Sequence, residues 1–142
     1  MTDVDTGYAR LATLIRATPD SGLHAALAAG PGGLDTALDT VFAHMASLVD
    51  PDRVKGEKGV FQYEITTDEG VKSRWLRVEN DTCVAGRGTD DGADITIGIR
   101  LADLARLATG QLSGQRAFVT GRMKLKGNAM FGLKLGQWFR RD

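Results

Sequence analysis

Residues 95–99 read Ile95-Thr96-Ile97-Gly98-Ile99. This strict alternation sets three isoleucines on one side of a β-strand and Thr96 and Gly98 on the other. The period then changes: Leu101 to Thr109 reads as a short helix, closed by Gly110. Beyond a loop, Phe118 to Lys126 reads as a second strand, with Met123 and Leu125 on one face and Arg122, Lys124 and Lys126 on the other. Gly127-Asn128 supplies a turn, and an apolar helix is predicted from about Asn128 to Arg140. A strand–helix–strand of this length implies a crossover, right-handed if the two strands are parallel neighbours. The last helix has to cover the apolar face that the unit exposes. Met130, Leu133 and Gln137 form one of its edges; Phe131, Leu135, Trp138 and Phe139 form a second, so more than half its circumference is apolar.

Upstream, the chain supplies a meander. Gly59 to Thr67 alternates Phe61, Tyr63 and Ile65 against Gln62, Glu64 and Thr66, and Asp68-Glu69-Gly70 makes a hairpin turn. Val71 to Glu79 is the next strand, with Leu76 and Val78 opposite Trp75; Asn80-Asp81 turns the chain into a weaker strand, Thr82 to Arg87. Before the meander, Leu34, Leu38, Val41, Phe42, Met45, Leu48 and Val49 hold a helical period over 34–49, stopped by Asp50-Pro51. A first helix is predicted over 3–17, with Tyr8, Leu11, Leu14 and Ile15 on one face, Asp3 or Asp5 as its cap, and Pro19 at its end. A short apolar segment, Leu23 to Ala29, follows. Gly30-Pro31-Gly32-Gly33 then breaks the chain and marks the expected boundary between an N-terminal helical extension, 1–33, and a core domain, 34–142.

The run Ala108-Thr109-Gly110-Gln111-Leu112, followed by Ala117-Phe118-Val119-Thr120-Gly121 and Lys124-Leu125-Lys126-Gly127-Asn128, resembles the sterol carrier protein type-2 family of nonspecific lipid-transfer domains. The resemblance is specific over about 94–135, looser over about 34–93, and does not reach the first thirty or so residues. It implies an α/β (α+β) fold: a five-stranded, mostly antiparallel sheet with helices across one face and a hydrophobic tunnel between them. The implied guest is a fatty acid, an acyl-CoA or a sterol-like molecule, bound without catalysis. The apolar positions assigned to this site are Phe61, Leu76, Val78, Ile97, Ile99, Leu104, Met123, Leu125, Met130, Leu133 and Trp138. An accessory or dimerisation module with a filled groove is the alternative.

The rest of the sequence bounds these readings. The 142 residues suit one domain, and 25% charged with 42% hydrophobic residues is ordinary for a globular chain. Formal net charge is zero, from 18 basic and 18 acidic residues, which argues against a general nucleic-acid binder. Cys83 is the only cysteine, so neither an intramolecular disulfide nor a cysteine metal cluster is expected. Asp90, Asp91 and Asp94 lack the order of a calcium loop, the glycines of 30–33 and 86–92 lack a phosphate-loop or dinucleotide fingerprint, and no cofactor is expected. No Gly-x-Ser-x-Gly elbow or His-Glu-x-x-His occurs, and His24 and His44 read as surface or satisfied core histidines. No run of about eighteen apolar residues spans a membrane, although transient membrane contact and a homodimer fit the reading. The acidic start and the Arg140-Arg141-Asp142 end carry no recognised address, so a cytoplasmic location is expected.

Overall fold

The computed structural model describes residues 3–140, with the side chains of residues 3–6 outside the description; the cap assigned to Asp3 or Asp5 falls among these. Three helices open the chain: α1 (Asp3–Ala17), α2 (Asp20–Ala28) and α3 (Gly33–Ser47). In α1 the spacing of Tyr8, Ala12 and Ile15 buries one stripe, while Leu14 stands 39% exposed. Pro19 sits at the N-cap of α2, where its fixed φ and missing N–H are harmless. Helix α3 buries Leu34, Leu38, Val41 and Phe42.

Strands β1 (Gly59–Thr67), β2 (Gly70–Glu79), β3 (Thr82–Arg87) and β4 (Ile95–Arg100) follow, then α4 (Leu101–Ala108), α5 (Gly114–Val119), β5 (Met123–Gly127) and α6 (Ala129–Trp138). The sheet order is β3-β2-β1-β4-β5. Strands β1 and β4 run parallel; the other neighbours are antiparallel. The β2–β3 hairpin closes through Asn80 and Asp81, both with positive φ, as a two-residue turn of this twist requires.

Two expectations are corrected. Phe118 to Gly121 is not strand: residues 114–119 form α5, and β5 begins only at Met123. Ser113 explains the start, since its hydroxyl accepts from the Arg116 backbone N–H at 3.1 Å, an N-cap that commits the next turn to helix. The alternation through Phe118 and Thr120 is illusory, as both are exposed, whereas Ala117 is fully buried. The unit β4–α4–α5–β5 is also not a parallel crossover. Gly121, at φ 75°, ends the α5 turn ahead of a strand that lies antiparallel to β4.

The parallel pair in this fold is instead β1 and β4, and residues 88–94 join β3 to β4 past β2 and β1. Gln62, 2% exposed, pins that link. Its amide N–H donates to the Gly88 carbonyl (3.0 Å) and the Arg74 carbonyl (3.2 Å), and its carbonyl accepts from the Asp90 N–H (2.9 Å). Arg77 then pairs with Asp90 and stacks over Trp75, 4.4 Å from the ring centre.

The N-terminal helices share the core with the rest of the chain. Ile15, Leu23 and Leu27 are almost fully buried in the same cluster as Leu104 and Ile97. The Tyr8 hydroxyl donates to the Ala108 carbonyl (2.5 Å), and the Arg16 guanidinium donates to the Thr109 carbonyl (3.0 Å). We propose the break at 33/34 as a boundary of the sequence family; the joint across it is dense.

Candidate functional site

The register of the sheet fixes which side chains share its covered face. Phe61, Tyr63 and Ile65 of β1 lie beside Ile95, Ile97 and Ile99 of β4. Leu76 lies beside Phe61, and Val78 beside Gly59. Leu125 and Met123 of β5 continue the rows of Ile97 and Ile99. The result is one apolar surface running from β2 to β5. Its middle is closed to solvent: Phe61, Leu76, Val78 and Ile97 are 0% exposed. Helix α4 packs on β1 and β4 and brings in Leu104, 1% exposed.

Helix α6 closes the β5 side. Asn128 caps it, its side chain accepting from the Met130 N–H at 3.0 Å. Phe131 and Trp138, seven residues apart and so on one face, both turn inward. Phe61 meets the rings of Phe131, Trp138 and Phe139 edge-on at 5.8, 5.9 and 5.9 Å. Two glycines permit the approach. A side chain at Gly59 would overlap the Phe131 ring, and one at Gly132 would come within 2.9 Å of the Leu125 methyl. The space between sheet and α6 is therefore filled by protein side chains. The C-terminal end of α6 is tied by a short antiparallel bridge: the Asp50 N–H donates to the Trp138 carbonyl and the Arg140 N–H to the Leu48 carbonyl, both at 2.7 Å.

Of the positions assigned from the sequence, Phe61, Leu76, Val78, Ile97, Ile99, Leu104, Met123 and Trp138 come together in this buried layer, and Leu125 is half-buried at its margin. Met130 and Leu133 do not join them; they are 62% and 67% exposed on the outer side of α6. Phe131, Phe139 and the close approach at Gly59 are the residues that the assignment missed. The seven-residue spacing of Phe131 and Trp138 carried the signal for the first.

At the opposite, β3, side the face is covered by α3, whose Asp35 and Asp39 meet arginines of β2 and β3. Arg74, 4% exposed, donates to Asp35 at 2.9 Å and lies 3.3 Å from Asp39, which also pairs with Arg87. The Arg74 hydrogen bond holds the Asp35 carboxyl below its ordinary value. A half-open cleft of about 250 Å³ lies here, lined by Phe42, Ala43, Ala85 and these ions; a second, of about 150 Å³, lies beside Asp50, Arg53 and Gln137. Both are smaller than the usual small-molecule pocket of roughly 300–1,000 Å³.

Cys83, Tyr63 and His44 are held in packing. Burial pushes the Cys83 thiol up to about 12, and burial likewise raises the Tyr63 phenol. His44 is buried and stacks face to face on Tyr8 at 3.5 Å; His24 lies 3.4 Å from Glu69. Among the described residues no group of three or more His, Cys, Asp or Glu is placed to hold a metal ion, and no helix is long and apolar enough to cross a membrane.

Comparison with known proteins agrees with this architecture. Non-specific lipid-transfer protein-like 1 of Caenorhabditis elegans is 29% identical over 100 residues, covering 68% of this chain and 85% of that protein. Hydroxysteroid dehydrogenase-like protein 2 of Xenopus tropicalis is 29% identical over 100 residues, covering 69% of this chain but 24% of that protein. The chain thus spans about a quarter of such longer relatives. The solution structure of palmitated SCP2L2 from Aedes aegypti shares the fold, with a TM-score of 0.62 at 24% identity over 70% of this chain and 91% of that one. Sterol carrier protein 2 from Aedes aegypti, solved in complex with palmitate, gives a TM-score of 0.52 at 25% identity over 68% of this chain and 88% of that one. The sheet order, the covered apolar face and a family model matched over residues 38–140 lead to one conclusion: the chain belongs to the SCP-2 sterol transfer family.

Proposed function

We propose that the chain binds, and passes on, a single small hydrophobic lipid such as a fatty acyl chain, an acyl-CoA or a sterol-like molecule, without catalysis. Family membership supports lipid binding or transfer in general. The observation that carries the finer reading is the asymmetric closure of the apolar face. Toward β5 it is covered by one ten-residue helix, α6, whose inward packing rests chiefly on Phe131 and Trp138. The guest takes the place of those rings against Phe61, Ile97 and Leu125 as α6 swings outward. The apolar surface that the helix uncovers is covered again by the guest, so the exchange is nearly balanced in buried area. One cation, Lys134, lies over the Phe131 and Trp138 rings at 4.3 and 5.2 Å, and the face itself is apolar, so selectivity among apolar tails is weak. The reading keeps the protein cytoplasmic.

The test is displacement of a fluorescent fatty acid from protein stripped of lipid, using unlabelled palmitate and a sterol as competitors. Saturable displacement is expected. Failure of every acyl and sterol competitor would remove the carrier reading. The filled space between sheet and α6 favours a second reading, an accessory or dimerisation module with no guest. Native mass spectrometry separates the two: a copurifying lipid mass supports the carrier, and a lipid-free, concentration-dependent dimer supports the module.

A further inference from the structure

Helix α6 carries one lysine in the stripe that it turns toward the sheet. Phe131, Lys134, Leu135 and Trp138 recur at the i, i+3, i+4, i+7 spacing of a single helical face. Lys134 is half-buried, and its ammonium lies over both inward rings, 4.3 Å from the centre of Phe131 and 5.2 Å from that of Trp138. Residues 104–140 contain no acidic side chain. Among the described residues Lys134 has neither an ion pair nor a hydrogen bond. Other cations withdrawn from solvent in this fold are matched: Lys72, Arg74 and Arg106 each meet a carboxylate. Lys134 is held by aromatic faces alone.

We infer that Lys134 reads the head group of the guest, so that the preferred guest is a long apolar chain ending in a carboxylate rather than a neutral alcohol or a sterol. The inference rests on the proposed entry of a guest beneath α6. That guest takes the place of the Phe131 and Trp138 rings, and those rings are what hold the ammonium in the closed protein. Their withdrawal removes both cation–π contacts. The four-carbon stem lets the ammonium stay at the margin of the opened space. A carboxylate at the end of the buried chain meets it there in a charge-assisted hydrogen bond, partly shielded from water. A hydroxyl is only a neutral acceptor, and the thioester of an acyl-CoA carries no charge at that point. A lysine that merely shields the rings with its aliphatic stem would treat charged and neutral head groups alike.

Full-length protein stripped of lipid is loaded with diphenylhexatriene, an uncharged apolar fluorophore. It is then titrated at neutral pH with palmitate and with hexadecanol, which have chains of equal length. The quantity read is the ratio of the two displacement constants in each variant. That ratio cancels any change in the folded fraction or in how readily α6 opens. Lys134→Gln should move it at least about fivefold against palmitate. Lys134→Arg, which keeps the positive charge, should retain the parent's ratio. Lys126→Gln, a charge change on the other face of the sheet, should retain it as well. An unchanged ratio in Lys134→Gln would overturn the inference and leave guest binding standing. An equal shift in Lys134→Arg or in Lys126→Gln would overturn it too, by tracing the effect to packing or to overall charge. Displacement by neither ligand from the parent protein would remove the carrier reading and this inference together.

Discussion

Arg106 is the point at which the joint between the first two helices and the rest of the fold can be measured. Its guanidinium donates to the Ile15 carbonyl at 2.7 Å, the Thr18 carbonyl at 2.6 Å, Asp20 at 3.0 Å and the Gln111 side chain at 3.0 Å. It thereby ties down carbonyls where α1 ends, adding a second bond to the Ile15 carbonyl, which also accepts from the Thr18 N–H at 3.2 Å. The side chain is 16% exposed, whereas Asp20 is 63% exposed, so the ion pair itself contributes little. Arg106→Met keeps the aliphatic stem and removes every donor. Charged hydrogen bonds contribute about 1.5–3 kcal/mol each when buried, and partial hydration reduces that, so a loss of about 2–4 kcal/mol is expected. At roughly 3 °C per kcal/mol for a chain of this size, the melting temperature should fall by about 6–12 °C. Thermal unfolding followed by circular dichroism measures this, with Asp20→Asn as a control that should shift by less than about 2 °C. A fragment of residues 34–142 tests the same joint, because it loses the cover of Ile15, Leu23 and Leu27. An Arg106→Met variant within about 2 °C of the parent, together with a fragment that melts like the full chain, would refute a joint of this strength.

Three further outcomes follow from the packing and the ion pairs. Gln62→Ala strands the Gly88 and Arg74 carbonyls and the Asp90 N–H, at about 2–4 kcal/mol in urea unfolding, and should speed proteolysis within residues 88–94. Ile97→Ala, at a 0% exposed site, should cost about 2–5 kcal/mol by leaving a cavity, and added palmitate should restore part of the lost melting temperature; Ile97→Trp should cost about 1–3 kcal/mol or more by overpacking and should block palmitate. Hydrogen bonds from Arg74 and Arg77 hold the Asp35 and Asp90 carboxyls below their ordinary values. A depressed folded pKa gives stability that is present above the unfolded value and lost as pH falls, so the urea midpoint should be flat from neutral to about pH 5 and drop below about pH 4, less steeply in Asp35→Asn with Asp90→Asn.

The strands and the long helices were legible because each keeps one period over enough residues. Ile95 to Ile99 and Phe61 to Ile65 alternate without a break, and they lie side by side in the sheet. The segment at Phe118 was not legible in the same way. Four residues can alternate by chance, and what decides the matter is the Ser113 cap, a local hydrogen bond that outweighs pattern over one turn. The last helix was legible as a helix, but not for the edge it docks. With apolar residues over most of its circumference, periodicity cannot choose between Phe131 with Trp138 and Met130 with Leu133. The choice is made by Gly59 and Gly132, which let one edge approach the sheet closely. Gln62 and Arg106 were invisible because their partners are backbone groups distant in sequence.

Outward movement of α6 is the step on which the proposed lipid binding depends, and the bridge at its C-terminal end offers a way to stop it. Val49 and Phe139 are direct partners there, held between the bonds from Asp50 to Trp138 and from Arg140 to Leu48. Pairs of that type have Cα atoms about 4.5 Å apart, within the range of a disulfide at roughly 4.4–6.8 Å. Val49→Cys with Phe139→Cys should therefore form a bond that fixes the helix at this end, while β5 fixes it at the other. The decisive measurement is fluorescent fatty-acid uptake by this one variant, oxidised and then reduced, so that loss of the Phe139 ring is common to both states. Uptake by the reduced form and at least about tenfold weaker or slower uptake by the oxidised form is the predicted result. Equal uptake in the two states would contradict entry beneath α6.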